Sequence, residues 1–102
     1  MKVKTSELQD KALDWAVMQC EEFVEDVFEP SEYWGDGGPI IEREKIRLNC
    51  GDGTWGVAEG VWEAAHPRNI YVSFGPTPLV AAMRCYVASV LGGEVDIPEE
   101  LL

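Results

Sequence analysis

The chain has 102 residues, 46% of them hydrophobic and 26% charged, the balance of a folded domain rather than a disordered segment. Eight Lys and Arg against 19 Asp and Glu leave a net charge of −11. That charge argues against direct nucleic-acid binding, which needs a basic footprint, and against docking on anionic membrane surfaces.

The size predicts a single domain over residues 1–102 with one modest core. The opening MKVKTSELQD has no apolar run behind its lysines, so no secretory leader is expected. No stretch reaches the roughly 20 apolar residues of a membrane span. Ser6 and Gln9 have capping-box spacing, which predicts a helix starting at Ser6. Leu8, Ala12, Leu13, Ala16, Val17, Cys20 and Val24 supply its apolar stripe. The helix is expected to run on through Phe28 and to end at Pro30. Its acidic second half opposes the helix dipole and should fray.

Ser31 to Pro39, SEYWGDGGP, is expected to be loop, because Gly35, Gly37, Gly38 and Pro39 all disfavour regular structure. Tyr33 and Trp34 within it suit either a binding loop or a loop pinned to the core by its aromatics. Ile46 and Leu48 alternate with Lys45, Arg47 and Asn49, as in a half-buried strand. Asp52-Gly53 signals a hairpin, with Trp55 and Val57 on the return strand and Val61 and Trp62 extending it. His66-Pro67-Arg68-Asn69 reads as a turn. Ile70, Val72 and Phe74 then alternate with Tyr71 and Ser73, the clearest strand in the chain.

Gly75 to Gly92, GPTPLVAAMRCYVASVLG, contains its own start and stop signals. Thr77 is a suitable N-cap, Pro78 fits the first helical position, and Gly92 is a natural C-cap. A helix apolar nearly all round is a core helix. Glu94 to Leu102 follows as an acidic tail with a short apolar run, Val95 to Ile97. The order helix, strands, helix predicts an α+β two-layer sandwich, α-β-β-β-α. Its antiparallel sheet has three to four strands, packed by an N-terminal helix and a C-terminal core helix. Double-stranded-RNA-binding domains share this order, but they need lysines where this last helix starts Thr77-Pro78-Leu79-Val80.

No catalytic constellation is recognisable. His66 is the lone histidine, placed beside a proline as surface histidines usually are, and no serine lies in a nucleophile elbow. Cys20, Cys50 and Cys85 have no close spacing and suggest neither a disulfide framework nor a metal site. Cys20 and Cys85 fall in predicted helices as ordinary core residues, which fits a reducing cytoplasm. Carboxylate pairs such as Glu21 with Glu22, or Glu42 with Glu44, are expected by chance in so acidic a chain. No cofactor is called for.

Arg84 stands out as the cation midway along the core helix. Three readings stay open: a helix edge with its head in water, a buried ion pair with Glu42 or Glu44, or a ligand-facing arginine bordered by the Gly37-Gly38-Pro39 loop. Tyr33, Trp34, Gly37, Gly38, Pro39 and Arg84 are therefore the candidate binding residues. Among the four tryptophans, Trp15 is expected to pack on the sheet, whereas Trp34, Trp55 and Trp62 are candidates for a recognition surface.

Three segments carry a family likeness: TSELQDKALDWAV at 5–17, GGPIIEREKI at 37–46 and GPTPLVAAMRCYVASVLGGEVDIPEELL at 75–102. Together they resemble the NinX-like proteins of tailed bacteriophages and prophages of enteric bacteria, a family of unknown function. The stretches 18–36 and 47–74 depart from that pattern. The resemblance implies a phage accessory protein made in the bacterial cytoplasm, and it transfers no catalytic residues. Two functions follow as expectations. The first is non-enzymatic binding of a host protein, such as a defence or nucleic-acid-processing complex whose basic channel an acidic surface would complement. The second is a module that binds or sequesters a small nucleotide-like ligand, with a homodimer left open.

Overall fold

The computed structural model describes residues 1–22, 26–53, 57–68 and 72–102. Val24, Trp55, Ile70 and Tyr71 of the expected elements lie outside the described residues. In chain order the elements are β1 (Lys2–Lys4), α1 (Asp10–Cys20), α2 (Trp34–Glu44), β2 (Arg47–Cys50), β3 (Trp62–Ala65), β4 (Val72–Gly75), α3 (Pro78–Leu91) and β5 (Glu94–Asp96). Short 3-10 turns cover Thr5–Glu7 and Glu99–Leu101. The fold is α+β: β2-β3-β4 form an antiparallel sheet, and β1 pairs with β5 in a separate antiparallel ribbon.

The α3 helix has the limits its sequence specifies. The Val80 N–H donates to Thr77 Oγ1 at 3.1 Å, Pro78 opens the first turn, and Gly92 closes the helix at φ 88°. Leu79, Ala81, Ala82, Met83, Cys85, Tyr86 and Val87 are all buried. Each large apolar side chain so covered contributes on the order of 1.5–3 kcal/mol. The buried stripe of α1, Ala12, Leu13, Ala16 and Val17, joins the same core cluster.

Several local expectations are overturned, the helix start, the loop and the strand parity by contacts distant in sequence. The first helix starts at Asp10 rather than Ser6, and the capping box does not form. Thr5 is instead drawn into the β1–β5 region: its N–H donates to the Gly93 carbonyl at 2.8 Å and its Oγ1 to that of Gly92 at 2.6 Å. In β1–β5, Lys2 faces Asp96, Lys4 faces Glu94, and Val3 faces Val95, a complementary register the sequence reading did not find. The helix also stops at Cys20, well short of Phe28.

The expected loop 31–39 is largely helix, because α2 begins at Trp34 and carries Gly35, Gly37, Gly38 and Pro39 inside it. Packing explains this. A Cβ on Gly37 would stand 2.6 Å from the Pro30 carbonyl oxygen and 2.7 Å from Leu79 Cδ2, so glycine lets α2 seat tightly against α3. Pro39 lies inside α2, four residues after Gly35. Ile40 is fully covered below it. The helix closes through Lys45 in the left-handed region and a bond from the Ile46 N–H to the Ile41 carbonyl.

The parity of β4 is the reverse of the expected one. Val72 and Phe74 are 43% and 42% exposed, whereas Gly75 is buried. A Cβ on Gly75 would lie 2.7 Å from the Ala81 backbone nitrogen, so this glycine must face α3, and one residue then fixes the direction of all its neighbours. The helix-facing side of the sheet is consequently lined by Leu48, Trp62, Ala64, Ser73 and Gly75. Its outer face presents Arg47, Asn49, Glu63, Ala65, Val72 and Phe74. The described strand opposite β2 is β3, which follows the Gly51 N–H to Val61 carbonyl bond and includes Trp62 of the expected return strand.

Candidate functional site

Arg84 projects from α3 into a groove of about 1030 Å³ between β4 and the chain around Thr5 and Gly93. Its Nε donates to the Leu8 carbonyl at 2.8 Å and its Nη1 to the Phe74 carbonyl at 2.8 Å. One side chain thus ties the approach to α1 onto β4, an edge strand of its sheet. Desolvation draws the guanidinium below its ordinary pKa, though arginine stays charged in proteins. Among the described residues no carboxylate lies within ion-pair distance of it. The expected pairing with Glu42 or Glu44 is therefore replaced by two backbone carbonyls.

Tyr33, Trp34, Gly37, Gly38 and Pro39 gather at the start of α2. Tyr33 and Trp34 are 57% and 54% exposed, so they are not pins to the core. None of the five lines the Arg84 groove. Trp62 is partly buried against the core, as is Trp15.

A second polar centre escaped the sequence reading. Arg43, at the end of α2, donates through Nη1 and Nη2 to both oxygens of Glu21 at 3.1 and 2.9 Å, and through Nε to Glu44 at 3.0 Å. Its guanidinium also lies 5.6 Å from the centre of the Tyr86 ring. The Tyr86 hydroxyl is 2.6 Å from Glu21 Oε2 and 3.1 Å from the Cys20 carbonyl, at the terminus of α1. His66, expected on the surface, is 4% exposed and completes the centre. Its Nδ1 accepts the Arg68 backbone N–H at 3.1 Å, which leaves Nε2 to donate to Glu44 Oε1 at 3.0 Å.

The electrostatics follow from these contacts. The His66 hydrogen bond, followed by that of Arg43, holds the Glu44 carboxyl below its ordinary value despite partial burial. Burial and then the Glu21 hydrogen bond push the Tyr86 hydroxyl upward, so it remains a donor. Burial raises the Cys20 and Cys85 thiols to about 11, which makes both poor nucleophiles. Apart from Arg43 with Glu44 and His66 with Arg68, these partners are separated by 22 to 66 positions in sequence, so local spacing could not announce the centre. The arrangement locks the ends of α1, α2 and β3 onto α3. Within it the carboxylates and cations are hydrogen-bonded to one another.

The family model described as Bacteriophage P22, NinX matches residues 22–90. The match therefore includes 47–74 and most of 18–36, the stretches that depart from the pattern expected at first, and both polar centres fall largely within it. No curated protein matches the chain. Because the matched residues make up more than half of its length, the chain belongs to the bacteriophage P22 NinX family.

Proposed function

We propose that this phage accessory protein acts non-enzymatically in the bacterial cytoplasm by binding a basic host protein. A defence or nucleic-acid-processing complex is the favoured target. The net charge of −11 carries this reading. Two of the eight cations, Arg43 and Arg68, pair with Glu21 and Glu44, two carboxylates, so this pairing leaves the net charge of −11 unchanged. An acidic surface of this kind steers a basic partner and competes with nucleic acid for it. That Trp34 does not line the Arg84 groove supports a protein partner over a pocket-bound nucleotide, because a base and its phosphate would need both groups in one site.

The test is capture of host proteins by the tagged chain, followed by affinity measurement with the purified partner as salt is raised. Affinity is expected to fall at least about tenfold as screening sets in. A partner whose affinity ignores salt would refute the reading.

The nucleotide-like ligand keeps one supporting observation, the Arg84 cation facing a groove of about 1030 Å³ with no ion pair to a carboxylate among the described residues. A thermal-shift screen with linear and cyclic nucleotides distinguishes it. A shift abolished by Arg84→Ala would support it, and no shift with any of them would remove it.

A further inference from the structure

A second, smaller cleft of about 310 Å³ lies on the opposite element of the core, along α1. Its apolar lining is Trp15 and Met18 from α1, Val27 and Phe28 from the chain after it, and Leu101 from the last 3-10 turn. Val27 is 71% exposed and Met18 38%, so the lining is open to solvent. The volume suits an inserted apolar side chain or two, at the lower end of the roughly 300–1,000 Å³ range of binding pockets.

The rim is what selects the occupant. Asp14, Asp26 and Glu29 line the cleft, against Lys11 alone. Among the described residues none of these three carboxylates has a cation within ion-pair distance. Asp14 accepts the Ser31 backbone N–H at 2.9 Å, which fixes its carboxylate in place. Desolvation raises its pKa, and Glu29 and Glu32 add repulsion. The three carboxylates therefore crowd an apolar surface with Lys11 as the one lining cation among the described residues and no ion pair to it, a state an arriving cation relieves.

We infer that this cleft is the anchor point for a basic, amphipathic segment of a protein partner. An apolar side chain of that segment enters against Trp15, Met18, Val27 and Phe28, while its flanking Lys or Arg groups meet Asp14, Asp26 and Glu29. The inference rests on the proposed binding of a basic partner and names where that partner is held. The Arg84 groove is the poorer match for such a segment, since Lys4 and Arg84 line it against Glu94 alone among the described residues. The cleft alone is too small for a whole interface and serves as the desolvated centre of a larger one.

The full chain, isotope-labelled for NMR, is titrated with three synthetic peptides: an amphipathic Leu/Lys peptide, an oligolysine of equal charge and a Leu/Glu peptide. The Leu/Lys peptide is expected to shift the Trp15 indole N–H and the amides of Met18, Val27 and Leu101. Oligolysine should bind at least about tenfold more weakly, because it lacks the apolar anchor. The Asp14→Asn, Glu29→Gln double variant should lose about tenfold in affinity, and Val27→Ser, at an exposed site that tolerates polarity, about threefold. Glu63→Gln, on the outer sheet face, should change nothing. Equal binding of oligolysine, shifts spread over all carboxylates, or unaffected cleft variants would overturn the inference. The same variants tested against the captured host protein separate the two readings. A salt-sensitive partner indifferent to them overturns the cleft and leaves the acidic-surface function standing. A lack of any salt-sensitive partner removes that function, whatever the peptides report.

Discussion

Two arginines on facing helices end in opposite situations. Arg43 is surrounded by carboxylates: Glu21 takes two of its nitrogens and Glu44 a third. Arg84 has carbonyls alone, those of Leu8 and Phe74. The first centre is closed, because its charges are used in joining α1, α2, β3 and α3. The second is open, since its cation borders a groove with no ion pair to a carboxylate among the described residues. In a chain of net charge −11 this contrast shows that acidic groups are not distributed to neutralise every cation. Structure uses Glu21 and Glu44 at the closed centre, while Asp14, Asp26 and Glu29 line the α1 cleft.

The strongest way to break the comparison is to remove His66. Its ring is buried and bonded to Glu44 and to the Arg68 N–H. His66→Ala should cost about 2–4 kcal/mol of stability in urea unfolding, from the cavity and the two orphaned partners. A cost below about 1 kcal/mol would mean the closed centre is a solvated rim. Arg84→Met should cost less, about 1–2 kcal/mol, since it removes two charge-assisted bonds but also a partly desolvated charge, and it orphans no carboxylate. If Arg84→Met proved the more damaging change, the ranking of the two centres would be inverted.

Acidity sharpens the contrast further. Glu44 has its carboxyl pKa lowered by His66 and Arg43, so its contribution is present above the ordinary carboxylate value near 4.5 and disappears as pH falls through the lower folded value. Thermal melts of Glu44→Gln should lose less stability on acidification than those of the parent chain. An identical acid profile would place the pH dependence elsewhere. Asp14 has the opposite sign. Its raised pKa means that the fold disfavours its charge, so its term is favourable at low pH and is lost as pH rises through the folded value. Asp14→Asn should leave stability unchanged or raise it by at most about 0.5 kcal/mol at neutral pH. A clear destabilisation would show that Asp14 serves the fold rather than a partner.

The parts of the molecule legible in the sequence are those whose determinants are neighbours. Thr77, Pro78 and Gly92 act within one or two turns, and α3 starts and stops where they say. The stripe of α1 is likewise periodic, and the α+β class follows from the order of the main elements. What was not legible depends on distant packing. The α2 helix forms through Gly37, whose fit against Pro30 and Leu79 no local propensity contains. The Gly75 contact with α3 turns Val72 and Phe74 outward against an apparently ordinary alternation. Arg84 could be singled out because a lone cation in an apolar helix is conspicuous, but its carbonyl partners could not. The Glu21, Arg43, Glu44 and His66 centre was invisible for the same reason, since each member alone is unremarkable in an acidic chain.

The central claim is that the surplus carboxylates serve a basic protein partner, and its most direct test is quantitative capture from host lysate with the tagged chain at low and high salt. The account predicts that a host protein of net positive charge is retained at low salt, is released at high salt and binds the purified chain with the same salt dependence. Retention unaffected by salt, or no partner above the level of a charge-matched control protein, would contradict it.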